Sequence, residues 1–121
     1  MRRLLRQLGV AALAAVLVQP VGAHAFLERA VPAVGSSVHT SPTELKLWFT
    51  QRLEPAFSVV RVLDKSGAQV DAGDMRVDAE DATLLRVSLP RLAPGTYRVV
   101  WRVLSADTHA SEGDYSFEVA P

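Results

Sequence analysis

Beyond residue 24, apolar and polar residues alternate in short runs along the chain. In Thr43–Thr50, Leu45, Leu47 and Phe49 fall on one side, and Glu44, Lys46 and Trp48 on the other. A period of two is that of a half-buried β-strand. Ala56–Leu63, Ala82–Leu89 and Thr96–Leu104 are rich in β-branched and aromatic residues, and Tyr115–Val119 alternates again. Turn signals separate the runs: Val34-Gly35-Ser36-Ser37, Asp64-Lys65-Ser66-Gly67, Asp78-Ala79-Glu80-Asp81 and Ala93-Pro94-Gly95. No segment here sustains a helical period. The pattern predicts an all-β domain of about seven strands, folded as a two-sheet β-sandwich or Greek-key barrel. Phe26–Val31 is its first strand and Ala68–Met75 its weakest. Phe49, Phe57, Trp101 and Phe117 read as core residues.

The N-terminus has a different character. Arg2, Arg3 and Arg6 lead into an apolar stretch, Leu8 to Val18, which Pro20, Gly22 and Ala23 follow. A positive start, an apolar centre and a small-residue end describe a secretory signal peptide. The stretch of about 11 residues is well short of the roughly 20 that span a bilayer. Two cleavage points fit. A cut after Ala23 starts the mature protein at His24, whereas a cut after Ala25 starts it at Phe26 and discards His24.

Composition narrows the function. The whole chain carries 13 basic and 13 acidic residues. A cut after Ala23 removes three arginines and leaves 98 residues with a net charge of about −3. That charge gives no reason to bind nucleic acid or an anionic membrane. No later stretch is long enough to cross a bilayer. With no cysteine, disulfides, thiolate metal sites and cysteine nucleophiles are excluded. No G-x-S-x-G elbow and no phosphate-binding glycine motif occurs.

Three histidines remain: His24, His39 and His109. His39 lies in a Ser/Thr/Pro-rich turn and reads as an exposed loop residue. If cleavage follows Ala23, His24 offers a free amine and an imidazole that chelate one ion together. Such nitrogen donors suit Cu(II), which prefers tetragonal N,O geometry. In Ser105-Ala106-Asp107-Thr108-His109, an extended backbone would point Asp107 and His109 to the same side. With His24 they make three nitrogens and one oxygen around one Cu(II). Taken alone, the Asp-x-His pair also fits a solvated turn.

The blocks His24-Ala25-Phe26-Leu27, Val31-Pro32-Ala33-Val34-Gly35-Ser36, Leu45-Lys46-Leu47-Trp48-Phe49-Thr50, Leu92–Trp101, Leu104–His109 and Gly113–Phe117 cover nearly the whole mature chain. In combination they resemble the CopC-type periplasmic copper-binding proteins and their YobA-like relatives. The resemblance implies a seven-stranded Greek-key barrel or cupredoxin/immunoglobulin-like sandwich. It implies one Cu(II) held by His24, Asp107 and His109, and therefore cleavage after Ala23. Residues 1–23 are then the signal peptide and 24–121 the domain. It further implies a periplasmic carrier or buffer in copper resistance or homeostasis, with an inner-membrane copper transporter as the delivery partner. Nothing in the residues demands a dimer or an enzyme, so a non-enzymatic monomer is the expectation.

Two positions depart from that family. Some members carry a Met-rich Cu(I) site, but this chain has only Met1 and Met75, and one thioether cannot build it. Some members place a Glu after the Phe-Ser/Thr step. Here Gln51 stands there, an outer-shell candidate whose simpler reading is a solvent-facing strand end. Two other functions compete: a copper monooxygenase-like enzyme with a histidine brace, and a metal-free exported binding domain.

Overall fold

A computed structural model describes residues 25–121; the expected signal peptide and His24 lie outside the described residues. Eight strands form: β1 (Leu27–Val31), β2 (Ser37–Val38), β3 (Glu44–Phe49), β4 (Val59–Leu63), β5 (Arg76–Val77), β6 (Leu84–Ser88), β7 (Gly95–Leu104) and β8 (Ala110–Val119). They make two four-stranded sheets, ordered β1-β3-β6-β5 and β2-β8-β7-β4. The fold is thus an all-β sandwich. All pairings are antiparallel except β2 with β8.

Alternation explains the core. Leu45, Leu47 and Phe49 of β3 are buried, as are Val60 and Val62 of β4, Val99 and Val103 of β7, and Tyr115, Phe117 and Val119 of β8. Their intervening neighbours face outward, so each sheet keeps one dry and one wet face. Burying a side chain of this size contributes about 1.5–3 kcal/mol. At the start of β7, Tyr97 stacks on Phe117 and its hydroxyl donates to the Ala93 carbonyl at 2.6 Å. The partner four residues back makes this a tyrosine corner, which pins the strand's entry.

The expected sandwich of about seven strands is met by eight among the described residues. Three details need correction. Ala68–Met75 forms no strand: beyond an isolated bridge of Gln69 to Leu63, the Asp71 carboxylate turns the chain by accepting from the Val62 and Gly73 amides at 2.8 and 2.9 Å. Pro55–Phe57 is a 3-10 turn rather than the start of β4, because proline favours the first helical position. Phe57 consequently leaves the core and is 70% exposed. Finally, β8 begins at Ala110, five residues before the apolar alternation becomes visible at Tyr115.

Gly113, within that added half, pairs with Trp101 and faces its indole ring. A Cβ built on Gly113 would lie 2.4 Å from the ring. Trp101 therefore fills the space a side chain would take, and it also meets Phe49 edge-on at 6.0 Å.

Outside the first sheet, Glu44 takes a bidentate grip on Arg86 at 2.8 and 2.9 Å and also accepts from Arg76 at 2.9 Å. Asp78 holds the third Arg86 donor at 2.6 Å. Arg86 lowers the pKa of both acids below the carboxylate range, first by hydrogen bonding. Hydrogen bonds from side chain and then backbone also lower the pKa of Asp64, through Ser66 and the Ala68 amide, and of Asp74, through Ser88 at the end of β6. A folded pKa below the unfolded one adds stability that is complete above the ordinary value, near 4, and disappears as pH falls through the folded value. Thermal melts from pH 7 to 2.5 should be flat down to about pH 5 and fall steadily below about 4. A melting temperature unchanged to pH 2.5 would show that these acids do not support the fold.

Candidate metal centre

One end of the sandwich gathers Asp107 and His109. They sit on the turn joining β7 to β8, not on an extended segment as expected. The Thr108 amide donates to the Ser105 carbonyl at 2.8 Å, and the Ser105 amide to the His109 carbonyl at 2.9 Å. Three residues close the hairpin, and Thr108 takes φ = 71°. That left-handed value follows a type I turn in three-residue hairpins, where glycine usually takes it. A β-branched residue there is strained. The turn brings His109 Nδ1 to 3.3 Å from Asp107 Oδ1, with both side chains half exposed.

Ser105 organises this turn. Its side chain is fully buried. Its hydroxyl donates to Asp107 Oδ1 and accepts from the His109 amide at 3.3 Å. The Ser105 hydroxyl, and after it His109, draws the Asp107 pKa below its ordinary value. Asp107 is thus an ionised oxygen donor at neutral pH.

A crossing segment braces the hairpin from the other sheet. Leu53 bridges to Ser105, the Ala106 amide donates to the Arg52 carbonyl at 2.8 Å, and the Glu54 amide donates to the Leu104 carbonyl at 2.8 Å. At the segment's other end, Thr50 holds the beginning of the described chain. The Phe26 amide donates to Thr50 Oγ1 at 3.0 Å, and the Thr50 amide donates to the Phe26 carbonyl at 2.9 Å. Ala25 is buried, and its carbonyl accepts from the Ser111 hydroxyl, two residues beyond His109. The start of the described chain is therefore tied to both sheets beside the hairpin.

Of the expected site residues, Asp107 and His109 come together, while His24 lies outside the described residues. Gln51 is half-buried between Thr50, which holds Phe26, and Arg52, which holds the hairpin. This is more enclosed than a solvent-facing strand end. His39 is exposed beside Arg91, and Met75 packs against the core. Among the described residues no group of three His, Cys, Asp or Glu side chains could hold a metal. Asp107 and His109 supply an O,N pair without sulfur, which fits a borderline ion such as Cu(II). A complete square plane needs further donors. The sequence reading missed Ser105, Ser111 and Thr50. Only Ser105, two positions before the Asp, carried a local signal, that of a side chain able to bond a nearby turn.

A model of the CopC domain matches residues 27–120. The chain belongs to the CopC domain family. Protein YobA of Escherichia coli (strain K12) is 34% identical over 112 residues, covering 91% of this chain and 90% of that protein. Copper resistance protein C of Escherichia coli is 30% identical over 104 residues, covering 80% and 82%. Among solved structures, CopC from Methylosinus trichosporium OB3b superposes with a TM-score of 0.76 at 40% identity, over 81% of this chain and 95% of that one. PcoC, a methionine-rich copper resistance protein from Escherichia coli, superposes with a TM-score of 0.70 at 33% identity, over 79% and 98%. The CopC family fold is thus the sandwich described above.

Proposed function

We propose that this chain is an exported copper-binding protein that holds one Cu(II) through the amine and imidazole of His24, the Asp107 carboxylate and the His109 imidazole. The observation that carries the reading is the tether of Ala25 to Ser111. Residue 24 is one peptide unit away, roughly 3.8 Å between Cα atoms. Cleavage after Ala23 would create a free amine and an imidazole beside the Asp107–His109 hairpin. The donors are then three nitrogens and one oxygen, the tetragonal set Cu(II) favours. Relatives named for copper resistance support the metal.

On this reading the protein is a periplasmic carrier or buffer for copper, with the ion as its cargo. It is not an enzyme: four donors fill the plane and leave no equatorial position for oxygen chemistry. The mature chain retains only Met75 as a thioether, so it lacks the methionine-rich chemistry in the PcoC name. An inner-membrane copper transporter is the fitting recipient.

Intact mass of the exported protein, recorded natively with and without one equivalent of Cu(II), tests the proposal. A chain beginning at His24 that gains one copper is expected. A chain beginning at Phe26 would lack two of the four donors and overturn it.

A further inference from the structure

We propose that Ser111 is a positioning residue for the metal centre, acting through the chain start rather than on the ion. This inference rests on the His24 chelate proposed above. Ser111 faces inward on β8 opposite the fully buried Val103, so its backbone is fixed by the β7–β8 ladder. Its hydroxyl donates to the Ala25 carbonyl, across 86 positions of sequence and from one sheet to the other. The Phe26 amide, the other end of the same peptide group, donates to Thr50 Oγ1 at 3.0 Å, so each sheet holds one end of that group. Ser111 thus attaches the peptide group after Ala25 to β8, the strand that continues from His109.

A chain terminus is ordinarily the least ordered part of a domain unless it is tied down. Without the Ser111 bond, the peptide group after Ala25 would be held from the first sheet alone and could tilt away from β8, carrying the chain start with it. Metal binding would then bear the ordering cost that the folded protein otherwise bears in advance. Asp107 and His109 would be unaffected, because Ser105 and the crossing segment hold them independently. The Thr50 bonds would still keep β1 in register, so the fold should persist.

The test compares Cu(II) affinity, by competition with a chromophoric chelator, for the mature wild type, Ser111→Ala and Ser111→Thr. Each is measured with a free and with an acetylated N-terminus. Loss of a supporting hydrogen bond around a metal site commonly costs 10–100-fold in affinity. We expect Ser111→Ala to lose about 10-fold with a free terminus and to broaden the Cu(II) electron paramagnetic resonance spectrum. Ser111→Thr, which keeps the hydroxyl, should restore both. In the acetylated series the loss on Ser111→Ala should be smaller, since only the His24 imidazole then still depends on the chain start. Wild-type affinity and spectrum in free Ser111→Ala would overturn the role of Ser111. An equal loss in both series would overturn it too, by placing the effect on the hairpin. If acetylation left the wild type unchanged, the failure would lie with the His24 chelate instead.

Discussion

One extra residue in front of His24 should lower Cu(II) affinity by at least about 100-fold, a change of roughly 2.7 kcal/mol. The substitution alters no side chain. It turns a basic amine into an amide nitrogen, whose lone pair is delocalised into the carbonyl and which must lose its proton before it can bind. The imidazole of His24 then binds alone, without the second arm of its chelate ring. Asp107 and His109 remain in place, so residual weak binding should persist and should disappear on His109→Ala. Proton linkage gives an independent check. An α-amine ordinarily titrates near 7.7–8.0. The native protein should therefore release a proton on binding and lose affinity as pH drops from 8 to 6, and the extended protein should show a shallower dependence. Chelator competition at several pH values measures both. Equal affinity for native and extended forms would remove the amine from the site.

Gly113→Ala should destabilise the fold by about 2 kcal/mol, within the 1–3 typical of overpacking. For a domain of this size that lowers the melting temperature by roughly 8–16 °C. The new methyl group would lie 2.4 Å from the Trp101 indole, and a rigid ring cannot yield as a flexible side-chain end would. Trp101 cannot retreat freely either, because Phe49 and Tyr115 flank it at 6.0 and 6.4 Å. The clash should depend on the ring. In a Trp101→Leu background, which is itself less stable, adding Gly113→Ala should cost much less than in the wild type. Thermal melts of the four proteins complete the cycle. A single Gly113→Ala variant melting within about 2 °C of the wild type would contradict the packing described here.

The two packed faces were legible in the sequence wherever burial alternates. β3 reads directly, because its three inward residues are large and apolar and its three outward ones include two charges. The first half of β8 was not legible: Ala110, Ser111, Glu112 and Gly113 carry no apolar period. They are strand because β7 pairs with them and Trp101 covers the gap at Gly113. Phe57 misled for the opposite reason: an apolar residue taken as core follows Pro55 into a turn and points to solvent. In the site, the Asp107–His109 pair was legible, though strand spacing was the wrong cause and a tight turn the right one. Thr50 and Ser111 could not be read, because their bonds to Phe26 and Ala25 span 24 and 86 positions. The first exists only once β1 has paired with β3, and the second only once the two sheets have closed.

β8 has one further consequence. It starts beside the hairpin at Ala110 and runs ten residues to Val119, which at about 3.3 Å per residue separates its ends by roughly 30 Å. Anything joined after Pro121 leaves from the pole opposite Asp107 and His109. A C-terminal linker could therefore fix the protein to a chip, an electrode or a carrier bead while the hairpin faces the bulk liquid. A dye attached there would report on tumbling without touching the ion. Fusions at the other terminus have no such freedom, since on the proposed chemistry that terminus is itself a ligand.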